Sequence, residues 1–171
     1  MPDPATDARP NGTATHGGGD GNPNGNPNGN PTGALPGDRF KLTIPSDTAA
    51  GMEVQNRILN RLEDLGYTDR DLFGMRLALE EALVNAIKHG NKLSDEKVVT
   101  VACELGSGAV RVVIRDQGEG FEPEAVPDPT AEENLDRPGG RGILLMRNFM
   151  SRVAYADRGR QLTLVQERSA A

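Results

Sequence analysis

Three short stretches of this chain combine residue types that do chemistry at spacings that let them cooperate. The first is Glu80-Glu81-Ala-Leu-Val-Asn85-Ala-Ile-Lys88-His89-Gly90-Asn91. Glu81 and Asn85 are four residues apart, so on a helix they share one face. A carboxylate and a neutral amide in that relation can position a nucleophile and a hard cation such as Mg²⁺, whose shell is completed by water and phosphate oxygens. Glu80 is a rival by adjacency, but at about 100° per residue it turns further from Asn85 than Glu81 does. The second stretch is Asp116-Gln-Gly118-Glu-Gly120-Phe121, directly after the apolar Val-Val-Ile-Arg. Asp is depleted in strands, so a carboxylate there has little packing reason. At the mouth of a sheet it could accept a hydrogen bond from an exocyclic amine, while Gly118 and Gly120 let the backbone approach a ring. The third is Gly139-Gly140-Arg141-Gly142-Ile143 at the entry to a helix. Free N–H groups beside the positive end of a helix dipole cradle phosphate, and Arg141 adds a charge. Taken singly, each stretch has a plain structural reading as well: a polar helix face, a strand-ending turn, a loop-to-helix joint.

The elements that must position these residues follow from periodicity. Arg39 to Ile44 alternates polar and apolar side chains, as a half-buried strand does. Ser46 or Asp47 can cap a helix to about Leu65, with Met52, Ile58, Leu59, Leu62 and Leu65 as its apolar stripe and Gly66 as its stop. Thr68, followed by Asp69 and Asp71, starts a second helix that runs to about His89 on the stripe Leu72, Met75, Leu79, Leu83 and Ile87. Val98–Leu105 and Ala109–Arg115 form a hairpin across Gly106-Ser-Gly108. Gln117 to Gly140 reads as a long acidic loop of the kind that serves as a lid. A third helix over about Arg141–Met150 and strands near Arg152–Ala156 and Gln161–Gln166, turning at Asp157–Arg160, complete the domain. The order predicts an α+β fold: a two-layer α/β sandwich with a mixed, mostly antiparallel sheet covered on one face by three helices.

Composition sets the surroundings. The chain has 171 residues, 19 Lys plus Arg, 25 Asp plus Glu and a net charge of −6. Residues 1–37 carry 9 of the 21 Gly and 7 of the 12 Pro, including the repeat Asn22-Pro-Asn-Gly, Asn26-Pro-Asn-Gly, Asn30-Pro-Thr-Gly, and are expected to be a disordered tail. The domain is then 38–171. An acidic chain without Trp is a poor platform for phosphate backbones or stacked bases, so no direct nucleic acid partner is expected. No apolar run approaches the roughly 20 residues that span a bilayer, and the N-terminus lacks a signal-peptide pattern. A lone Cys103 and two His leave no disulfide framework and no structural zinc set. The expectation is a cytoplasmic protein without a membrane partner.

The ordered set of a carboxylate and an amide on a helix, Asp-x-Gly-x-Gly after a strand, a lid, and glycines before a helix resembles one known family. It is similar to the ATP-binding domain shared by gyrase, the heat-shock chaperones, histidine kinases and mismatch-repair ATPases, the GHKL superfamily with the Bergerat fold. The likeness covers nearly all of 38–171. It implies ATP and Mg²⁺ as cofactors. It also implies that Glu81 acts as, or positions, the general base and that Asn85 binds the metal. Asp116 would recognise the adenine amino group, with Gly118 and Gly120 beside it. Gly140 and Gly142, with Gly139 at the edge and Arg141 among them, would wrap the phosphates. Lys88 and His89 match positions near the phosphates in histidine kinases.

Within that superfamily a sensor histidine kinase is not expected, because no helical domain with a phosphoacceptor histidine precedes the boxes and His16 sits among glycines. A transducer domain of the gyrase kind is not expected either, since the chain runs only five residues past Gln166. Gly142-Ile-Leu-Leu-Met-Arg-Asn-Phe-Met150 and Asn-Ala-Ile-Lys-His-Gly resemble the bacterial anti-sigma factor serine/threonine-protein kinases. That likeness implies a homodimer that holds a sigma factor inactive and phosphorylates a small anti-anti-sigma partner of the STAS type. The acidic lid is expected to reshape around nucleotide. Because its charge would repel phosphate unless Mg²⁺, Arg137 and Arg141 screen it, Glu122, Glu124, Asp128, Glu132, Glu133 and Asp136 are expected to point outward. The alternative is a catalytically silent ATP-binding module that controls a partner, in a phosphorelay or elsewhere, by binding alone.

Overall fold

The computed structural model describes residues 38–122 and 140–171. They form, in chain order, β1 (Asp38–Pro45), α1 (Thr48–Asp64), α2 (Asp69–Val84), a π-helical turn (Asn85–Gly90), β2 (Val98–Leu105), β3 (Ala109–Arg115), α3 (Gly140–Phe149), β4 (Arg152–Ala156) and β5 (Gln161–Glu167). The tail 1–37, Gly139, and the loop residues Glu124, Asp128, Glu132, Glu133, Asp136 and Arg137 lie outside the described residues.

Local chemistry starts and stops the helices. Asp47 accepts the Ala49 N–H at 3.0 Å and caps α1. The helix closes where Tyr67 N–H reaches Leu62 O at 3.1 Å and Gly66 takes φ +77°, a left-handed turn that glycine adopts without strain. Thr68 and Asp71 form a reciprocal capping box at the start of α2, both bonds 3.2 Å. One expected member of the α1 stripe is not in it: Met52 is exposed, and Gly51, Val54 and Gln55 face inward instead. The reason is proximity, since a Cβ at Gly51 would lie 2.9 Å from Ile87 Cδ1 and leave no room for a long side chain.

The sheet runs β1-β2-β3-β5-β4, and every neighbouring pair among the described residues is antiparallel. The expected mixed character is absent because α3 returns β4 in the direction of β3 but one place away. β5 then folds back into the gap and pairs with both. One face of the sheet carries Val99, Val101, Cys103, Leu105, Val110, Val112, Ile114, Leu162 and Leu164, all buried beneath the helices. The helices answer with Ile58, Leu62, Met75, Leu79, Leu83, Ile87 and Met146. Each such side chain contributes roughly 1.5–3 kcal/mol by leaving water, and together they hold the end of α2 against the ends of β3 and β5.

Candidate functional site

At that junction a cavity of about 220 Å³ opens between the end of α2 with its π turn, the segment after β3, and the β4–β5 turn. Ala82, Ala86, Ile114 and Leu162 give it apolar walls, and Asn85, His89 and Asp116 are among the polar groups that face it. The π turn is the local irregularity that shapes this wall. Asn91 N–H bonds Ala86 O, five residues back, at 2.9 Å, where an α-helix would use the fourth. Insertions of this kind recur at functional sites.

Asn91 itself is completely buried and fully bonded. Its Nδ2 donates to Ser46 Oγ and to Val98 O, each at 2.9 Å, and its Oδ1 accepts the Gln117 N–H at 2.7 Å. Gln117 Oε1 in turn accepts Val98 N–H at 2.8 Å. One amide thus joins the start of α1, the start of β2 and the segment after β3. Sequence reasoning gave Asn91 no role, because nothing within a few residues of it signals these distant partners.

Asp116 is half-buried at the cavity, and its Oδ1 accepts the Gly118 N–H at 2.8 Å. Burial pushes its carboxyl above the usual carboxylate range, against the opposing pull of Gly118 N–H, Arg160 and Lys97. The packing around it tolerates no side chains. A Cβ at Gly90 would stand 2.5 Å from Asp116 Cγ, and one at Gly118 would fall on the Gly90 carbonyl oxygen. Gly120 and Phe121 continue along the cavity, and the Phe121 ring meets Tyr155 edge-on at 5.2 Å and 77°. Burial raises the Tyr155 hydroxyl to about 12, so it stays protonated.

The β4–β5 turn completes the wall. Its carbonyls hold the segment after β3, Arg160 O accepting Asp116 N–H at 3.0 Å and Arg158 O accepting Phe121 N–H at 2.8 Å. Asp157 and Arg158 take left-handed φ of +52° and +56°, and Arg115 and Arg160 both bind Asp157 at 2.7 Å. The Asp157–Arg160 turn was expected from sequence. Its place against Asp116 was not, because that depends on β5 lying beside β3.

Glu81 stands outside the cavity lining and meets the glycine stretch. A Cβ at Gly142, in the first turn of α3, would fall on Glu81 Oε2. A carboxylate there is favoured by the positive end of the helix dipole. Glu80, one residue earlier, is exposed. Gly140 begins α3, and Arg141 is exposed. Lys88 is also exposed and does not line the cavity, whereas its neighbour His89 does. The structure therefore gathers Asn85, His89, Asp116 and Gly120 around one space, with Gly118 buried behind it and Glu81 against Gly142. Glu122 is exposed.

The donor set fits a nucleotide with its metal. An acceptor carboxylate between apolar and aromatic walls suits a base that carries an amine. Among the described residues no group of three or more His, Cys, Asp or Glu could hold a metal without help. Asn85 offers a single amide oxygen, which suits a Mg²⁺ whose remaining ligands are phosphate and water.

Comparison with known proteins identifies the family. A family model described as a histidine kinase-like ATPase domain matches residues 44–166. The serine-protein kinase RsbW of Staphylococcus epidermidis is 31% identical over 137 residues, covering 75% of this chain and 86% of that protein. The RsbW of Staphylococcus aureus strain JH9 is 28% identical over the same shares. A crystal structure of the RsbU and RsbW domains of Rv1364c from Mycobacterium tuberculosis superposes with a TM-score of 0.52 at 16% identity. The superposition covers 77% of this chain and 31% of that longer one, a likeness of fold. No described helix is long and apolar enough to cross a membrane.

Proposed function

Because the chain belongs to the histidine kinase-like ATPase domain family, we propose that it is an ATP-dependent serine/threonine protein kinase and anti-sigma factor. Its substrate is a small anti-anti-sigma protein in a partner-switching system, and its other partner is a sigma factor. The observation that carries the kinase reading is the contact of the Glu81 carboxylate with Gly142, one helical turn from Asn85. A module that only binds nucleotide has no chemical use for an acid held there.

Each residue then has a task. Asp116 accepts a hydrogen bond from the adenine amine, and the Phe121–Tyr155 pair with Ile114 and Leu162 excludes water from the base. Asn85 holds Mg²⁺, which supplies charge neutralisation at the phosphates when bound. The N–H groups at the start of α3 and Arg141 take the phosphate oxygens. Glu81 orients the hydroxyl of the partner's Ser or Thr and accepts its proton as that oxygen bonds to the γ-phosphorus and the bond to ADP breaks. Homodimerisation, expected from the resemblance, belongs to the same reading.

The test separates binding from chemistry. Glu81→Gln is expected to bind Mg-ATP within a few-fold of wild type while losing transfer of labelled γ-phosphate to an anti-anti-sigma substrate by roughly a hundredfold or more. A wild-type protein that binds ATP and its partners but transfers no phosphate would leave the silent module as the better account.

A further inference from the structure

The β3–β5 ladder places one charged pair where the cavity needs selectivity. Ile114 and Leu162 are opposed and buried on the helix-covered face, and Arg115 and Gln161 follow as the next pair. Successive pairs alternate between faces. The bond from Asp116 N–H to Arg160 O extends the ladder by one step, so Asp116 and Arg160 are opposed on the helix-covered side, and both line the cavity. Opposed residues hold their Cβ atoms about 4.5–5.5 Å apart, a spacing that invites an ion pair. None forms between them among the described residues.

Asp157 is the reason. Arg160 Nη2 donates to Asp157 Oδ1 at 2.7 Å and Nε donates to Asp157 O at 3.2 Å. This ties down one edge of the guanidinium and leaves Nη1 with two N–H donors and no partner among the described residues. Asp116 likewise uses Oδ1 on Gly118. The guanidinium thus keeps donor capacity at Nη1 and the carboxylate keeps acceptor capacity at Oδ2, and both residues line the cavity without an ion pair between them.

We propose that Arg160 is a specificity-determining residue that reads N1 of adenine while Asp116 reads the 6-amino group. This rests on the reading that the cavity takes the base of ATP. The pair matches adenine, whose amine is a donor next to the N1 acceptor. Guanine inverts both positions, offering O6 to the carboxylate and N1–H to the guanidinium. Rejection then follows from two unpaired, partly desolvated charged groups rather than from shape.

The experiment is calorimetry on the full chain with Mg-ATP, 1-deaza-ATP, 7-deaza-ATP and GTP. Wild type is expected to bind ATP and 7-deaza-ATP alike, and 1-deaza-ATP and GTP roughly tenfold to a hundredfold more weakly. Arg160→Met is expected to lose a similar factor for ATP and nothing for 1-deaza-ATP, whose retained affinity also reports an intact pocket. Equal wild-type affinity for ATP and 1-deaza-ATP overturns the proposal. So does an equal loss for both ligands in Arg160→Met, which marks a structural role in the turn. Should Arg160→Met prove unfolded by circular dichroism, Arg160→Lys replaces it; the ammonium keeps a donor, so a residual preference for ATP over 1-deaza-ATP is expected and its absence overturns the assignment. Failure of wild type to bind ATP at all would instead remove the nucleotide reading itself.

Discussion

Gly118→Ala puts one methyl group where the segment after β3 crosses the end of the π turn. The added Cβ falls on the carbonyl oxygen of Gly90, a backbone atom that no rotamer change can move aside. Overpacking of this kind costs about 1–3 kcal/mol. If the segment lifts to relieve it, the 2.7 Å bond from Gln117 N–H to Asn91 Oδ1 breaks. A fully buried acceptor is then unpaired, at a further cost of about 1–3 kcal/mol. The smaller unfolded-state entropy of alanine returns about 0.4–1 kcal/mol. The expected net loss is about 1–6 kcal/mol, or a fall in Tm of about 3–30 °C for a domain of this size. Displacement of Asp116 should also weaken Mg-ATP binding. Gly108→Ala is the control, because nothing lies within 4 Å of its added Cβ; its stability should stay within about 0.5 kcal/mol of wild type. Thermal melts by circular dichroism and calorimetric ATP titrations read both effects. A Gly118→Ala protein that melts within about 2 °C of wild type and keeps its ATP affinity would refute the packing on which this reasoning rests.

Asp116→Asn should part stability from binding. Burial holds the folded carboxyl above its unfolded value, so ionisation costs stability as pH rises through that window. The variant should melt at or above the wild-type temperature at neutral pH yet bind ATP roughly tenfold more weakly or worse, and wild-type ATP affinity should fall as acid protonates Asp116. Asp71 behaves oppositely: burial alone would raise it, but bonds from Ser169 and Thr68 outweigh that and hold it below the usual range. Its stabilisation is present at neutral pH and is lost as pH falls below about 4 through the depressed folded value. In acid-denaturation curves, Asp71→Asn should be about 1–3 kcal/mol less stable at pH 7 and show a flatter acid limb. Gly142→Ala should push the flexible end of Glu81 aside. Melting should stay level or rise slightly, since alanine suits a helix better by roughly 0.5–1 kcal/mol, while labelled phosphate transfer falls about tenfold or more.

Much of this protein is written in short-range pattern. The caps at Asp47 and Thr68, the stop at Gly66 and the hairpin at Gly106–Gly108 each act within a few residues. Strands β2 and β3 fall on their expected bounds because alternating side chains select one sheet face wherever the chain is extended. The three chemical stretches were legible for a similar reason: glycines and carboxylates at strand and helix ends have few packing uses. What lies between elements was decided elsewhere. Met52 faces solvent because Gly51 must pass close to Ile87, a contact between residues far apart in sequence. The π turn closes on Asn91, whose partners Ser46, Val98 and Gln117 come from three separate segments. Arg160 lines the cavity opposite Asp116 only because β5, which follows β4 in the chain, enters the sheet beside β3. Turns, caps and periodicity follow from energies within a few bonds of each residue, whereas strand order and close backbone approach follow from burying one shared core, which no single segment encodes.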